Sequence, residues 1–86
     1  MKIPLQIRRH RKIYYCLPHS NRTWFIIVRK KGQSPVYRAY LTLQKNSLIL
    51  KSAKTAAIYE QPILEENDIP DLLSYMLYHM SYKEQG

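Results

Sequence analysis

With 86 residues, 45% of them hydrophobic and 23% charged, the chain has the size and composition of one small folded domain spanning residues 1–86. Its lone cysteine, Cys16, excludes an internal disulfide, its three histidines lack metal-ligand spacing, and no apolar run reaches the ~20 residues that cross a bilayer. The formal net charge of +8 and the lack of a segment resembling a cleaved signal predict a basic cytoplasmic protein without membrane span, metal or cofactor.

The segment from Arg8 to Leu17 is compatible with two structures. Ile13, Cys16 and Leu17 would share one face of a helix, whereas Ile13, Tyr15 and Leu17 would share one face of a strand. Pro18 is expected to end the segment in either case.

A series of strands is predicted in the middle of the chain. β-Branched and aromatic residues favour strands at residues 24–30, 36–43 and 47–52, and residues 56–60 are a candidate for a short fourth strand. Residues 31–35 and 44–46 have the composition of turns. Alternation along the second strand is expected to place Tyr37 and Ala39 on one face and Arg38 and Tyr40 on the other.

A helix is predicted near the end of the chain. Asp68 can cap its free N–H groups, Pro70 suits its first turn, and an apolar periodicity continues to about Tyr82. The apolar stripe that should face the core comprises Ile69, Leu72, Leu73, Met76, Leu77 and Met80. A neighbouring row of Tyr75, Tyr78, His79 and Tyr82 is interpreted as the shoulder of that stripe, with a partner-docking face as the alternative.

The charges are divided along the chain. All but one of the 14 Lys and Arg residues precede Glu60, and all six acids lie from Glu60 onward. Such separation predicts a positive surface for an anionic ligand. The densest candidate is residues 29–34, where a turn can offer backbone N–H groups, Ser34 a hydroxyl and Arg29 a forked guanidinium to a phosphate. An ordinary solvated hairpin turn is the alternative for this segment alone.

Catalytic chemistry is not indicated by the sequence. The acids are confined to the last third, no glycine-rich phosphate loop occurs, and Cys16 is best interpreted as a small buried hydrophobic residue. We therefore expect a binding protein with no catalytic residues rather than an enzyme.

Several short motifs resemble those of the Src homology 2 domain, the phosphotyrosine-binding module. Ile7-Arg8-Arg9 is similar to its I-x-R, Ile26-Ile27-Val28-Arg29 to its F-L-V-R strand, and Tyr40-Leu41-Thr42-Leu43 to its x-L-S-V strand. The turn at residues 30–35 and the helix at residues 68–75 follow in the family's order. The resemblance implies an α+β fold: a small central antiparallel sheet of three to four strands, a C-terminal helix, and a helix before the sheet.

The resemblance also implies a phosphotyrosine-binding site. Arg29 would grip the phosphate from beneath, Arg9 would reach it from the first helix, and Lys51 would lie beside the tyrosine ring. The remaining residues placed at the site by the family motifs are Lys31, Ser34 and Thr42. The implied function is a non-catalytic signalling adaptor or blocker that binds tyrosine-phosphorylated proteins or peptides with permissive sequence selectivity, because little chain follows the second helix.

Two other functions are compatible with the same residues. A single-stranded nucleic-acid-binding protein would offer the cations of its sheet to the phosphate backbone and Tyr14, Tyr37 or Tyr40 to the bases. A basic subunit of an assembly would dock through the tyrosine row of the last helix. The orientation of Arg29 discriminates, because the phosphotyrosine interpretation needs it to point inward from its strand, whereas a nucleic-acid surface needs many scattered cations.

Overall fold

A computed structural model describes residues 3–85 as a six-stranded antiparallel sheet followed by one helix. The strands pair in chain order and are β1 (Gln6–Arg9), β2 (Lys12–Ser20), β3 (Thr23–Lys30), β4 (Val36–Leu43), β5 (Ser47–Ser52) and β6 (Ile58–Pro62). A 3-10 turn at Glu66–Asp68 leads into helix α1 (Ile69–Lys83). No helix within the described range is long and apolar enough to cross a bilayer.

The predicted Src homology 2-like α+β fold is wrong. The sheet has six strands instead of three or four, and the segment expected to form a helix before it is the hairpin β1–β2. The physical reason is the pattern of buried residues: Ile7, Tyr14 and Cys16 are buried, and Tyr14 and Cys16 follow the two-residue period of a strand. The structure is a half-barrel, with the helix on the inner side of a curled sheet.

Pro18 does not end β2, which continues to Ser20. β1 begins at Gln6, opposite Tyr15, and the next hydrogen bond on that side runs from the Cys16 amide to the Leu5 carbonyl at 2.9 Å. Beyond this point no strand within residues 3–85 pairs with β2 on that side. A proline without an amide hydrogen is therefore accommodated there, as on any strand edge.

The helix confirms the predicted apolar stripe. Ile69, Leu73, Met76, Leu77 and Met80 are at most 1% exposed, and the helix contacts both edge strands, β1 and β6. Asp68 occupies the predicted N-cap position and Pro70 the first turn, but the Asp68 side chain makes no cap hydrogen bond because the preceding 3-10 turn holds its backbone in a helical conformation (φ −90°, ψ −3°). The inner face of the sheet is thus sealed by one helix.

A β-bulge in β4 changes which residues share a face. Ile26 pairs with Ala39 and Ile27 pairs with Tyr37, so Arg38 is the extra residue between the two pairs. A bulge of this kind interrupts the alternation of side chains. Arg38 therefore joins Ala39 on the inner face, while Tyr37 lies on the same outer face as Tyr40. The strict alternation expected from the sequence is wrong at these positions.

Arg38 reaches a carboxylate at the end of the helix. Its Nη2 lies 2.8 Å from Glu84 Oε1, and the two side chains are only 13% and 4% exposed. Glu84 also accepts hydrogen bonds from the hydroxyls of Ser52 and Thr55 at 2.8 Å and from the Tyr59 hydroxyl at 2.9 Å. We call these five residues the Glu84 cluster; it ties the end of the helix to β4, β5 and β6.

The hydrogen bonds of the cluster hold Glu84 in its charged form. Burial alone would raise the pKa of this carboxyl, but the hydrogen bonds donated by Ser52, Thr55, Tyr59 and Arg38 outweigh burial and lower the pKa to about 2. Burial and the hydrogen bond that it donates to Glu84 raise the pKa of Tyr59. The cluster is therefore a buried anion neutralised by one arginine.

Replacing Glu84 by glutamine should destabilise the protein by about 3 kcal/mol at neutral pH. Glu84→Gln leaves the Arg38 guanidinium in a mostly buried position without a counter-charge, and removing one partner of a buried pair costs roughly 3–5 kcal/mol. Urea unfolding followed by Trp24 fluorescence measures the loss. Glu65→Gln, at an exposed carboxylate before the helix, is the matched control and should change stability by less than about 0.5 kcal/mol; equal stability of both variants would contradict the role of the cluster.

The same carboxylate should make stability depend on pH. A folded-state pKa of about 2 lies below the value of about 4.3 for an unfolded glutamate, so ionised Glu84 stabilises the fold above that value. This contribution is lost as pH falls towards the folded-state pKa. Urea unfolding between about pH 5 and pH 2 should show a steeper fall for the natural protein than for Glu84→Gln; parallel curves would show that Glu84 is not held ionised.

Candidate functional site

The outer face of the sheet is not covered by any element of residues 3–85. Successive residues of a strand point to opposite faces, and the residues that alternate with the buried core define what we call the open face. It includes Arg8, Ile13, Tyr15, Leu17, His19, Phe25, Ile27, Arg29, Tyr37, Tyr40, Thr42, Ile49, Lys51, Ile58 and Glu60. A broad uncovered face that carries aliphatic and aromatic side chains is the candidate for a binding surface.

Four rings form a cluster on the open face. Phe25 lies at the centre, with its ring centroid 4.4 Å from that of His19, 5.4 Å from Tyr40 and 5.6 Å from Tyr37. His19 also lies 5.8 Å from Tyr40. Tyr37 is 46% exposed, whereas Phe25 and Tyr40 are half-buried. We call these four residues the aromatic cluster; two of its rings, His19 and Tyr37, belong to exposed residues.

Cations surround the aromatic cluster. Lys51 is the register partner of Tyr40, and Arg29 lies on β3 two residues beyond Ile27, the partner of Tyr37. Strands β1 to β5 contain no acidic residue, so Glu60 on the edge strand β6 is the one carboxylate within the sheet. The open face therefore combines rings with positive charge over most of its width.

Three loops bring further cations to one end of the sheet. The β1–β2 turn (residues 10 and 11), the β3–β4 turn (residues 31–35) and the β5–β6 loop (residues 53–57) meet there because the strands are antiparallel. The loop that carries Glu65, Glu66 and Asp68 lies at the opposite end. We call the end with the three loops the cationic end. Its positive charge is well separated from Glu65, Glu66 and Asp68.

An open cleft at the cationic end faces the same side as the aromatic cluster. It has a volume of about 470 Å³, and we call it the outer cleft. Its lining residues are Arg11, Ile13, Arg29, Lys30, Lys31, Gly32, Gln33 and Ser34. Gly32 has φ +76°, a conformation that glycine adopts readily, and the Gln33 amide donates to the Lys30 carbonyl at 3.0 Å. The predicted turn at residues 31–35 is therefore present, and it forms part of the lining of the outer cleft.

The structure brings together three of the six residues expected at the phosphate site. Arg29, Lys31 and Ser34 line the outer cleft. Arg29 is exposed and lies on the open face rather than pointing inward from its strand. The strand register places Lys51 two strands from β3, level with Phe25, four residues from Arg29; at about 3.3 Å per residue this is roughly 13 Å along the sheet.

The other expected site residues are dispersed. Thr42 lies on the open face, half-buried, beyond Tyr40. Arg9 shares the inner face with Ile7, and its Nη2 lies 3.9 Å from Asp71 Oδ1 on the helix. Arg9 and Arg29 therefore lie on opposite faces of the sheet. Tyr14, considered for base stacking, is 4% exposed and its hydroxyl lies 3.3 Å from the Ser81 hydroxyl, so its ring is not free to stack on a base.

Sequence reasoning missed several residues of this surface. Phe25 was predicted only as part of a strand and His19 only as a histidine without metal-ligand spacing. Neither was assigned to a binding surface, and Arg11 was not assigned to the outer cleft that it lines. Phe25 carries a signal in the sequence, because it alternates with Trp24 and Ile26 and must face away from them. His19 and Arg11 carry none, since their positions depend on the register of β2 and on the turn that precedes it.

The described residues hold no group of three or more His, Cys, Asp or Glu side chains placed to bind a metal ion. Burial raises the pKa of the Cys16 thiol to about 12, so this cysteine is a protonated core residue. Comparison with known proteins found no matching family model, curated protein or solved structure. The function must therefore be argued from the chain's own surface.

Proposed function

We propose that the protein binds single-stranded nucleic acid across the open face. The observation that carries the proposal is the aromatic cluster, uncovered and flanked by cations on a sheet whose first five strands hold no acid. Proteins that bind single strands without catalysis combine aromatic stacking platforms with a positive groove for the backbone. Both parts are present on one face of this chain.

The exposed ring of Tyr37 and the partly exposed ring of Tyr40 are the candidates for stacking on bases. Each contacts Phe25, which is half-buried and packs against both rings from the neighbouring strand. Rings fixed in this way lose little conformational entropy when a base stacks on them. A double strand is not expected to use this site, because its bases are stacked on one another and do not present free faces.

Arg29, Lys31 and Lys51 are the candidates for phosphate contacts. They lie around the aromatic cluster rather than converging on one enclosed point, since Arg29 and Lys51 are separated by about 13 Å along the strands. Spaced cations suit a polymer with one charge per nucleotide. A single phosphotyrosine would need converging donors, and the dispersal of Arg9 and Lys51 gives that interpretation less support, although it stays a prediction to be tested alongside.

Removing the exposed tyrosine ring of the cluster should weaken binding of a single strand. For Tyr37→Ala we expect affinity for a labelled oligothymidylate of about 12 nucleotides to fall roughly 5- to 150-fold, which corresponds to about 1–3 kcal/mol for one stacked base. Fluorescence anisotropy measures the affinity. Tyr75→Ala, at a tyrosine of the helix that is 53% exposed, is the matched control and should bind as the natural protein does.

Three outcomes would contradict the proposal. The first is the absence of oligonucleotide binding, and the second is equal affinity of Tyr37→Ala and Tyr75→Ala. The third is a natural protein that sediments as a dimer, formed through the open face, at the concentrations used. A phosphotyrosine peptide is titrated in parallel. Tight binding of that peptide and not of its unphosphorylated form, lost in Arg29→Ala, would favour the phosphotyrosine function instead.

The cations should be visible in the salt dependence of binding. Each phosphate contact to a single strand contributes about −0.7 to the slope of log affinity against log salt concentration. Arg29→Ala should therefore make the slope shallower by about 0.7, whereas Lys45→Ala, at an exposed lysine of the β4–β5 turn at the opposite end, should leave it unchanged. An unchanged slope for Arg29→Ala would remove this residue from the interface.

A further inference from the structure

A second cleft lies at the cationic end, on the inner side of the sheet. It has a volume of about 390 Å³ and is bounded by the ends of β2, β3 and β4, the β5–β6 loop and the end of the helix. We call it the inner cleft. It shares Lys30, Gln33 and Ser34 with the outer cleft, so the β3–β4 turn is the ridge between the two.

Like charges are paired across the strands that form this cleft. Lys12 of β2 is the register partner of Lys30 of β3 and also of Arg9 of β1, and all three lie on the inner face. Like charges directly opposite one another destabilise a sheet. Arg9 has Asp71 nearby, but within residues 3–85 no carboxylate lies within ion-pair distance of Lys12 or Lys30. An unneutralised pair of this kind is an arrangement that a bound anion would stabilise.

Lysines and a hydroxyl lie around an apolar floor in the inner cleft. Its floor is made by Tyr14 and Val28, which are 4% and 7% exposed and belong to the core. Lys12, Lys30 and Lys54 lie around this floor with the Ser34 hydroxyl. The Glu84 carboxylate also borders the cleft, but it is ion-paired with Arg38, so the lysines set the charge offered to a ligand.

We propose that the inner cleft binds the terminal phosphate of a nucleic-acid strand that lies on the open face. The inference rests on the proposed function and names a feature of its ligand. A terminal phosphate monoester carries about −1.5 to −2 charges at neutral pH and three acceptor oxygens, whereas an internal phosphodiester carries one. Three lysines beside the Ser34 hydroxyl suit the first, and the spaced cations of the open face suit the second.

The test compares oligothymidylates that differ only at their ends. The probes carry a 5′-phosphate, a 3′-phosphate or hydroxyls at both ends, with the fluorophore on the opposite end or on an internal base. For the natural protein we expect one phosphorylated end to bind roughly tenfold more tightly than the hydroxyl form. The end whose phosphorylation increases the affinity identifies the direction in which the strand lies.

Variants separate the inner cleft from the open face. Lys12→Gln should abolish the gain from the terminal phosphate while leaving affinity for the hydroxyl-ended probe within about twofold. Tyr37→Ala should weaken all probes by one common factor and keep the gain. Lys45→Gln, at the opposite end of the sheet, should change neither. Because Lys12→Gln relieves a repulsion in the absence of ligand, its urea midpoint should be no lower than that of the natural protein.

The failure of this inference can be distinguished from failure of the proposed function. Equal binding of phosphorylated and hydroxyl-ended probes would overturn the inference and leave the proposed function standing. If no oligonucleotide binds, the proposed function fails, and the cleft is then tested alone with thymidine monophosphate against thymidine by amide chemical shifts of Gln33 and Ser34. The absence of chemical-shift changes with both thymidine monophosphate and thymidine would overturn the inference as well. So would a Lys12→Gln variant that keeps the full increase in affinity from the terminal phosphate.

Discussion

The contact between Arg38 and Glu84 is the interaction on which the rest of the structure depends. It joins a strand in the middle of the sheet to the last turn of the only long helix among residues 3–85. Arg38 can make this contact because it is the extra residue of the bulge in β4. The same bulge places Tyr37 beside Phe25 on the other face. One irregularity of the backbone thus closes the core and assembles the aromatic cluster.

Covering a six-stranded sheet with a single helix leaves one face unsealed, and this asymmetry decides where a ligand can bind. The inner face buries the core residues against the helix stripe, so its charged groups lie around the core, in the Glu84 cluster, the inner cleft and the Arg9–Asp71 pair. The open face keeps apolar and aromatic side chains in contact with water, which is unfavourable unless a partner covers them. The cationic end joins the two surfaces and gives both a preference for negative charge.

The sequence predicted the parts of the site that are contiguous along the chain. Arg29, Lys31 and Ser34 belong to one strand end and its turn, and local rules suffice to place them together. Arg9 and Lys51 were placed by a resemblance whose first helix does not exist in this chain, and the structure separates them from Arg29. Their positions depend on which strands pair and in which register, and this is set by contacts between distant residues such as Tyr14 and Ser81.

By itself, then, the sequence determined the helix at the end of the chain with its apolar stripe, the strands from β3 to β5, and the confinement of acids to the last third. These follow from periodicity, turn composition and charge, which are local properties. Only the tertiary structure decided that the first segment is a hairpin, that Tyr14 is buried, and that Tyr37 shares a face with Tyr40. The physical reason is that a bulge or a shift of register by one residue moves a side chain to the opposite face of a sheet, and the packing of the whole core selects among such alternatives.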